Sequence, residues 1–300
     1  MNIIKTELDN FNLYLSESIN NDSYSVSKEI NNFIFAEAKR IRPILVFLFA
    51  KSLNLDIDEK IYALACAVEI IHSATLIHDD VVDSAVLRRG RPSVNKTLGN
   101  NISVLTGDML LSFAIEKLVF LNNFKVINIF INALKLMCNG EINQYLSLNE
   151  IPDFQEYIKK SKNKTAELFS AVLESLCVIA DIKEQQNIVN FALNFGIAFQ
   201  LKDDYMNIYG NDKSKPLFND IYAGIYTLPL IILSDKTDDF KKLTKEKIIA
   251  ELINSVEIKE KTLDIIRQYS IKAIASIEFM RDNCYKEKII EITKKLYKVV

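Results

Sequence analysis

The sequence predicts an all-α protein. It contains only 7 glycines and 5 prolines among 300 residues, well below the usual share of roughly 7% and 5%. Because sheet proteins need these residues at their many turns, the scarcity favours long helices joined by few loops. Apolar residues also recur every three or four positions over long stretches, whereas strand-length alternation of apolar and polar residues is scarce.

Helical periodicity divides the chain into successive elements. The first long stretch runs from Asp58 to Asp83 without an internal glycine or proline. The same periodicity covers four further stretches: 101–121, 124–148, 154–182 and 183–208. From about Lys241 onward the chain reads as further amphipathic helices rich in Ile, Lys and Glu. No linker, repeat or low-complexity segment interrupts it, so we expect a single domain over residues 1–300.

Composition and charge exclude several classes of protein. Hydrophobic residues make up 49% and charged residues 25%, which excludes intrinsic disorder. A formal net charge of −2 argues against a protein that binds nucleic acid through bulk positive charge. Four widely separated cysteines and two histidines exclude a zinc finger and indicate reduced thiols. We see no signal peptide and no apolar run long enough to span a bilayer, so we expect a soluble, cytoplasmic protein.

The first candidate site is the acidic cluster His78-Asp79-Asp80-Val81-Val82-Asp83. On a helix, Asp79 and Asp83 lie one turn apart on one face, with Asp80 about 100° further round the axis. Carboxylates crowded at the negative end of a helix dipole repel one another, and a divalent cation relieves this repulsion. Mg²⁺ accepts one or two carboxylates and completes its shell with water and substrate phosphate. Taken alone, the pattern leaves a metal site and a solvated acidic helix end about equally open.

A second acidic cluster, Gln200-Leu201-Lys202-Asp203-Asp204-Tyr205-Met206-Asn207, has the same shape with Asn at its third acidic position. Each cluster is followed by a loop containing glycine and proline. Cations bracket both clusters, and Arg and Lys are the usual phosphate-binding side chains. These cations are Lys39, Arg42, Arg88, Arg89, Lys164 and Lys215. Two such clusters with flanking cations favour a site for metal and diphosphate over a solvated surface.

Several motifs in register resemble the trans-isoprenyl diphosphate synthase (polyprenyl synthetase) family. The run 70–83 followed by Arg88-Arg89-Gly90 is similar to its first aspartate-rich motif, and 199–204 is similar to its second. Four shorter elements also match: 39–43 (Lys-Arg-Ile-Arg-Pro), Gly140-Glu141 with Gln144, Lys164-Thr165, and Thr227-Leu228-Pro229. The resemblance extends from Lys39 to Pro229. Within the family, the sequence most resembles the octaprenyl diphosphate synthase type.

The resemblance implies an all-helical fold around a deep central cavity, a homodimer, and Mg²⁺ with two diphosphate substrates. It implies catalytic roles for Asp79, Asp80, Asp83, Arg88, Lys164, Gln200, Asp203, Asp204 and Lys215. Of these, the implied metal ligands are Asp79, Asp83 and Asp203. The residues implied to bind isopentenyl diphosphate are Lys39, Arg42, His72 and Arg89. The implied reaction adds isopentenyl diphosphate head-to-tail to an allylic diphosphate, with at most peripheral membrane contact for product release.

Two departures from the family pattern bear on metal and diphosphate binding. Asn207 stands where the family usually has a third Asp, and Ile225 stands where its Gly-Lys-x-Thr-Leu-Pro element has Lys. One anion and one cation are therefore lost together. We expect weaker metal or diphosphate binding rather than inactivity, because Asp203 is retained.

The residues before the first cluster bear on product length. Ala74 and Thr75 stand five and four residues before Asp79, where short-chain family members often carry an aromatic, and Ile71 lies beside them. Small side chains would leave a tunnel open, which favours a medium-to-long all-trans product of the kind used for quinone side chains. Close helix packing would equally explain the alanines, and a bulky residue such as Phe113 or Met137 would also form a tunnel floor.

Two other functions remain open. Asn207 and Ile225 also fit a weakly active or regulatory subunit of a heteromeric synthase, which the intact first motif opposes. A class I terpene cyclase shares the implied fold. Its second metal motif usually needs a hydroxyl and a later Glu, however, whereas this chain has Asn207 and Asn211. Retained cations for a second diphosphate, Lys39, Arg42 and Arg89, also oppose a cyclase.

Overall fold

The computed structural model describes residues 2–19, 26–36, 38–88, 90–210 and 217–298, and helices dominate throughout these ranges. The predicted all-α class is confirmed. The α-helices are α1 (Lys5–Ile19), α2 (Ser27–Ile34), α3 (Ile41–Ser52), α4 (Glu59–Val82), α5 (Val94–Leu98), α6 (Asn100–Phe120), α7 (Phe124–Leu146), α8 (Phe154–Ser161), α9 (Glu167–Ile179), α10 (Gln185–Tyr209), α11 (Asn219–Ala223), α12 (Leu228–Ser234), α13 (Lys245–Asn254), α14 (Val256–Ser276) and α15 (Cys284–Lys294). Short 3₁₀ turns occupy Asn2–Ile4 and Phe240–Lys242.

Strand structure in the described ranges is limited to one short hairpin after α4. Strand β1 (Leu87–Arg88) pairs antiparallel with β2 (Arg91–Pro92). Gly90 lies between them with φ +73°, a left-handed conformation that glycine adopts without a Cβ clash. The glycine that follows the first acidic cluster therefore serves a tight turn.

The long helices follow the predicted periodicity closely. Asp58 caps α4 by accepting a 3.1 Å hydrogen bond from the Ile61 N–H, so this helix begins where the pattern begins. The predicted stretch 154–182 is the exception, because a π-helical turn at Lys162–Ala166 separates α8 from α9. Periodicity cannot reveal a π turn, since one extra residue leaves the apolar spacing nearly unchanged.

By internal contacts the chain divides into two compact units that alternate along the sequence. Unit 1 comprises residues 1–129, 175–183 and 281–289; unit 2 comprises 130–174, 184–280 and 290–300. The single domain expected over residues 1–300 stays a prediction.

The core of unit 1 is built around α4, which packs on α3 and α6. Gly107 leaves room on α6 for a side chain of α4, because a Cβ there would lie 2.2 Å from the His78 Nε2 atom. Among the described residues, α4 is the helix long and apolar enough to cross a membrane, yet 72% of its most apolar window is buried in the protein. This burial is typical of the core helix of a soluble protein.

The core of unit 2 is built around α10, which packs on α14 and on the π turn. Aromatic rings fill the space beside it: the centroid of Phe169 lies 5.2 Å from that of Phe195 and 5.6 Å from that of Phe199. A rigid aromatic core of this kind holds the second acidic cluster in place.

All four cysteines are free, as expected for reduced thiols.

Candidate active site

The first acidic cluster occupies the last turn of α4, as predicted. Asp79 is half-buried and Asp83, the C-terminal cap of the helix, is exposed. The Asp83 N–H donates to the Asp79 carbonyl at 2.8 Å, which keeps the two residues one turn apart. Their side chains therefore offer two carboxylates on one face of the helix end.

Asp80 differs from its two neighbours because it is completely buried. Arg88 in β1 donates to Asp80 Oδ1 through Nε at 2.8 Å and also through Nη2. The side chain of Asn95 donates to the Asp80 backbone carbonyl at 3.0 Å. The Arg88 charge therefore compensates one of the three clustered carboxylates, and the hairpin carries Arg88 to the end of α4. Arg89 lies outside the described residues.

The Lys-Arg-Ile-Arg-Pro element leads into α3. Arg40 has a left-handed backbone (φ 49°) and donates to Glu69 Oε1 at 2.7 Å and to the Ile34 carbonyl at 2.5 Å. Arg42 is buried, and this burial lowers its pKa to about 10 against the opposing charge of Glu69. Lys39 is exposed. The buried Glu69 carboxylate, 2% exposed on α4, thus balances two guanidinium groups at the entry to α3.

His72 and the residues predicted to set product length lie on α4. Ala74 and Ile71 are buried, whereas His72 and Thr75 are half-buried. The Thr75 hydroxyl donates to the His72 carbonyl at 2.8 Å, so it is satisfied within the helix.

In unit 2, two glycines allow the π turn to lie close to its neighbours. A Cβ at Gly196 on α10 would lie 2.4 Å from the Ala166 Cα atom, and one at Gly140 on α7 would lie 3.3 Å from Asn163 Cβ. The turn places Lys164 against Glu141, with 2.6 Å between Nζ and Oε1. π turns are frequent at functional sites because the extra residue redirects side chains.

A hydrogen-bonded chain links the π turn to the second acidic cluster. The Thr165 hydroxyl donates to Gln200 Oε1 at 2.5 Å, and Gln200 Nε2 donates to Asp204 Oδ1 at 2.8 Å. The Tyr157 hydroxyl donates to Asp204 Oδ2 at 2.5 Å. Both oxygens of the Asp204 carboxylate therefore accept a hydrogen bond. The Gln200 amide is fixed in one orientation, because its oxygen accepts from Thr165 and its nitrogen donates to Asp204.

The two aspartates of this cluster have different environments. Asp203 is exposed, whereas Asp204 is 7% exposed. Burial raises the pKa of Asp204 to about 7, and the negative charge of Asp220 adds to the increase. The hydrogen bonds from Tyr157 and Gln200 oppose it, because they stabilise the carboxylate.

The two family departures also lie in unit 2. Asn207 Oδ1 is buried and has no hydrogen-bond partner among the described residues, while the Asn207 backbone carbonyl accepts from the Phe218 N–H at 2.9 Å. The Ile225 N–H donates to the Asp220 carbonyl at 2.8 Å. Lys215 lies outside the described residues.

Comparison with known proteins matches this arrangement to one family. The sequence profile described as Polyprenyl synthetase matches residues 24–266. The chain belongs to the polyprenyl synthetase family. The resemblance noted in the sequence is confirmed, and so is the enzyme class at the level of this family.

Individual relatives of this synthetase cover almost its whole length. A prenyl transferase of Cyanidium caldarium is 33% identical over 96% of this chain and 94% of its own. The octaprenyl diphosphate synthase of Escherichia coli is 29% identical over 93% of this chain and 91% of its own. A crystal structure of a polyprenyl synthase from Caulobacter crescentus, complexed with calcium and isoprenyl diphosphate, superposes with a TM-score of 0.92 at 28% identity, covering 99% of this chain and 96% of its own. The all-helical isoprenoid synthase fold is thus confirmed.

Residues of this synthetase fit a divalent metal by their chemistry. Among the described residues, no three His, Cys, Asp or Glu side chains form a preassembled metal-binding group. A metal that is shared with substrate phosphate needs only one or two protein carboxylates, and Asp79 and Asp83 offer two on one helix face. In unit 2, the buried Asn207 Oδ1 has no hydrogen-bond partner among the described residues, and an amide oxygen is a hard donor by its chemistry.

Sequence reasoning missed two residues of this synthetase that contact the site. Tyr157 bonds Asp204, and Glu69 bonds Arg40. A tyrosine in an amphipathic helix usually indicates core packing, so nothing local marked its hydroxyl. Glu69 did carry a signal, since a glutamate inside a 24-residue apolar helix needs a buried cationic partner.

Proposed function

We propose that the chain is a Mg²⁺-dependent synthase that condenses isopentenyl diphosphate head-to-tail with an allylic diphosphate. The observation that carries this proposal is that each acidic helix segment is hydrogen-bonded to an element of its own unit that carries a cation. Arg88 bonds Asp80 beside Asp79 and Asp83. Lys164, held by Glu141, belongs to the π turn that also bonds Gln200.

The residues proposed for each substrate keep the roles that the family resemblance implies. Asp79, Asp83 and Asp203 would hold Mg²⁺ together with the allylic diphosphate. The cations for that diphosphate would be Arg88, Lys164 and Lys215. The groups for isopentenyl diphosphate would be Lys39, Arg42, His72 and Arg89.

When bound, Mg²⁺ neutralises charge on the diphosphate leaving group. The chain's own cations add to this effect, because fixed positive charge stabilises the negative charge that develops as the allylic C–O bond breaks. The double bond of isopentenyl diphosphate attacks the allylic cation, and loss of one proton, which the released diphosphate accepts, completes the addition.

Gln200 would orient the allylic group through its amide. Thr165 and Asp204 fix the amide dipole of Gln200, so it needs little reorganisation as positive charge develops on the substrate. Apolar side chains near the site, such as Phe199 beside Phe169, support the exclusion of water, which would otherwise quench the cation.

Ala74, Thr75 and Ile71 support a medium-to-long product. Ala74→Phe is expected to shorten the product, because the ring would fill space below Asp79, and sizing of the extracted prenyl alcohols measures this. Ala74→Ser is the control and should keep the parent length. A product of unchanged length from Ala74→Phe would show that other residues limit the chain length.

The second candidate is a weakly active or regulatory subunit that needs a competent partner chain. Asn207 and Ile225 favour it, because one loses a carboxylate and the other an ammonium group. For the synthase itself we propose a cytoplasmic homodimer that contacts membranes at most peripherally, when it releases product.

One assay separates the two candidates. The purified chain is incubated with Mg²⁺, farnesyl diphosphate and labelled isopentenyl diphosphate, and the products are sized. We expect a ladder that extends well beyond geranylgeranyl, with no added protein. No incorporation at any Mg²⁺ concentration would refute self-sufficiency and favour the partner-dependent subunit.

A further inference from the structure

Lys160 is a half-buried lysine whose charge the predicted site does not use. It lies on α8 three residues after Tyr157, and its Nζ stands 5.6 Å from the centroid of the Tyr157 ring. Among the described residues, no carboxylate lies within ion-pair distance of this ammonium group. A lysine that is partly buried without an ion-pair partner is unusual, because a charged group is normally more stable in solvent.

The surroundings of Lys160 are those of the second acidic cluster. Burial lowers the pKa of its ammonium, while the negative charges of Asp204, Asp220 and Glu141 raise it, and the positive charge of Lys164 lowers it. Lys160 therefore lies in the field of Glu141, which pairs with Lys164 one turn further along the chain. Burial is the larger effect, so the pKa of the Lys160 ammonium lies below its usual value.

The segment around Ile225 runs past the same place. The Ile225 N–H bonds the carbonyl of Asp220, whose carboxylate acts on Lys160. Three residues later, the Leu228 N–H acts on the Tyr157 hydroxyl, and α12 packs on α8. A cation at position 225 and the cation at position 160 would thus serve one region of unit 2.

We propose that Lys160 is a further diphosphate-binding residue, which supplies beside Lys164 the positive charge that this chain lacks at Ile225. The inference rests on the proposed function. Tyr157 guides the Lys160 side chain along its ring face while its hydroxyl bonds Asp204. Free of an ion pair, the ammonium can donate to a phosphate oxygen without first breaking a contact.

The test compares Lys160→Met with Lys159→Met, its exposed neighbour on the same helix. Methionine keeps an unbranched apolar stem close to that of lysine and removes the charged amino group. Binding of farnesyl S-thiolodiphosphate with Mg²⁺ is measured by calorimetry. We expect at least a tenfold weaker affinity for Lys160→Met and less than a twofold change for Lys159→Met. In turnover, KM for isopentenyl diphosphate should not change.

A second variant tells a charge effect from a packing effect. The double variant Lys160→Met/Ile225→Lys lacks the cation at position 160 but has one at position 225. We expect it to recover most of the lost affinity. Parent-like binding by Lys160→Met overturns the proposal. So does a loss that Ile225→Lys fails to restore, whether or not the melting temperature falls. If the parent chain binds no analogue at all, the proposed function itself fails. That result differs from both outcomes that overturn only the role of Lys160.

Discussion

At the scale of single residues, the Asp204 carboxylate is the most constrained group of the candidate site. It is nearly buried, accepts from two side chains, and lies near the negative charge of Asp220. Asp203 beside it is exposed. Adjacent aspartates of one motif therefore have different environments, which fit the metal-binding role proposed for Asp203 and an orienting role for Asp204.

The buried Asp204 predicts a pH dependence of stability. Its folded pKa, about 7, lies above the unfolded value near 3.8. The protonated carboxyl therefore contributes stability that is complete below pH 4 and is lost as the pH rises through about 7. Without ligands, the free energy of unfolding should fall between about pH 4 and pH 7 by an amount on the order of a few kcal/mol.

Chemical denaturation at several pH values measures this trend. In Asp204→Asn, which cannot ionise, the fall should flatten. The same slope in Asp204→Asn as in the parent chain would assign the dependence to other groups.

The Tyr157 hydroxyl predicts a second residue-scale effect. Tyr157→Phe keeps the ring but frees Asp204 and, through it, the Gln200 amide. We expect kcat to fall about tenfold, as is common when the orienting partner of a site carboxylate is removed. KM for isopentenyl diphosphate should stay unchanged, because Arg42 and His72, two of its proposed groups, lie on α3 and α4 in unit 1.

Tyr209→Phe is the matched control for Tyr157→Phe. The Tyr209 hydroxyl also donates one hydrogen bond, at 3.2 Å, but to the Leu252 backbone carbonyl. Both variants should lose similar stability, about 1–2 kcal/mol. Equal turnover by the two variants would contradict a special role for Tyr157.

At the scale of elements, the π turn between α8 and α9 decides where Lys164 and Thr165 lie. It brings Lys164 to Glu141 and Thr165 to Gln200, from a stretch whose apolar spacing is that of a plain helix. Gly196 and Gly140 make this possible by removing a side chain at each contact.

The contact at Gly196 predicts a graded pair of variants. Gly196→Ala places Cβ 2.4 Å from a backbone atom, so a main chain must shift, at a cost of about 1–3 kcal/mol. Gly140→Ala needs a shift of only a few tenths of an ångström, and helix propensity partly offsets it. Thermal unfolding should rank Gly196→Ala well below Gly140→Ala. The reverse order would contradict the close contact at Gly196.

At the scale of the whole molecule, the sequence alternates between the two units, and each unit carries one acidic cluster on one long helix. Self-sufficient synthesis by the homodimer proposed above predicts a particle of twice the 34.3 kDa chain mass. Light scattering on the active fraction measures this. Activity in a fraction of single-chain mass would contradict the homodimer.

The fold was largely predictable because the signals that specify its helices lie within each segment of the sequence. Periodic apolar residues predicted the long helices such as α4, because a helix buries one face whatever it packs against. The same local information located both acidic clusters at helix ends. It missed the π turn, since redirecting one residue leaves the apolar stripe intact.

The partners of the site residues were not predictable from one sequence. Asp80 and Arg88 are eight residues apart, yet only the hairpin decides that they bond. Tyr157 and Asp204 are 47 residues apart and meet because α8 packs on α10. Side-chain patterns determine which residues a chain has for binding metal and diphosphate, because their chemistry is intrinsic. Tertiary packing alone decides which carboxylates are buried, oriented and paired, since these properties arise between segments that are distant in the chain.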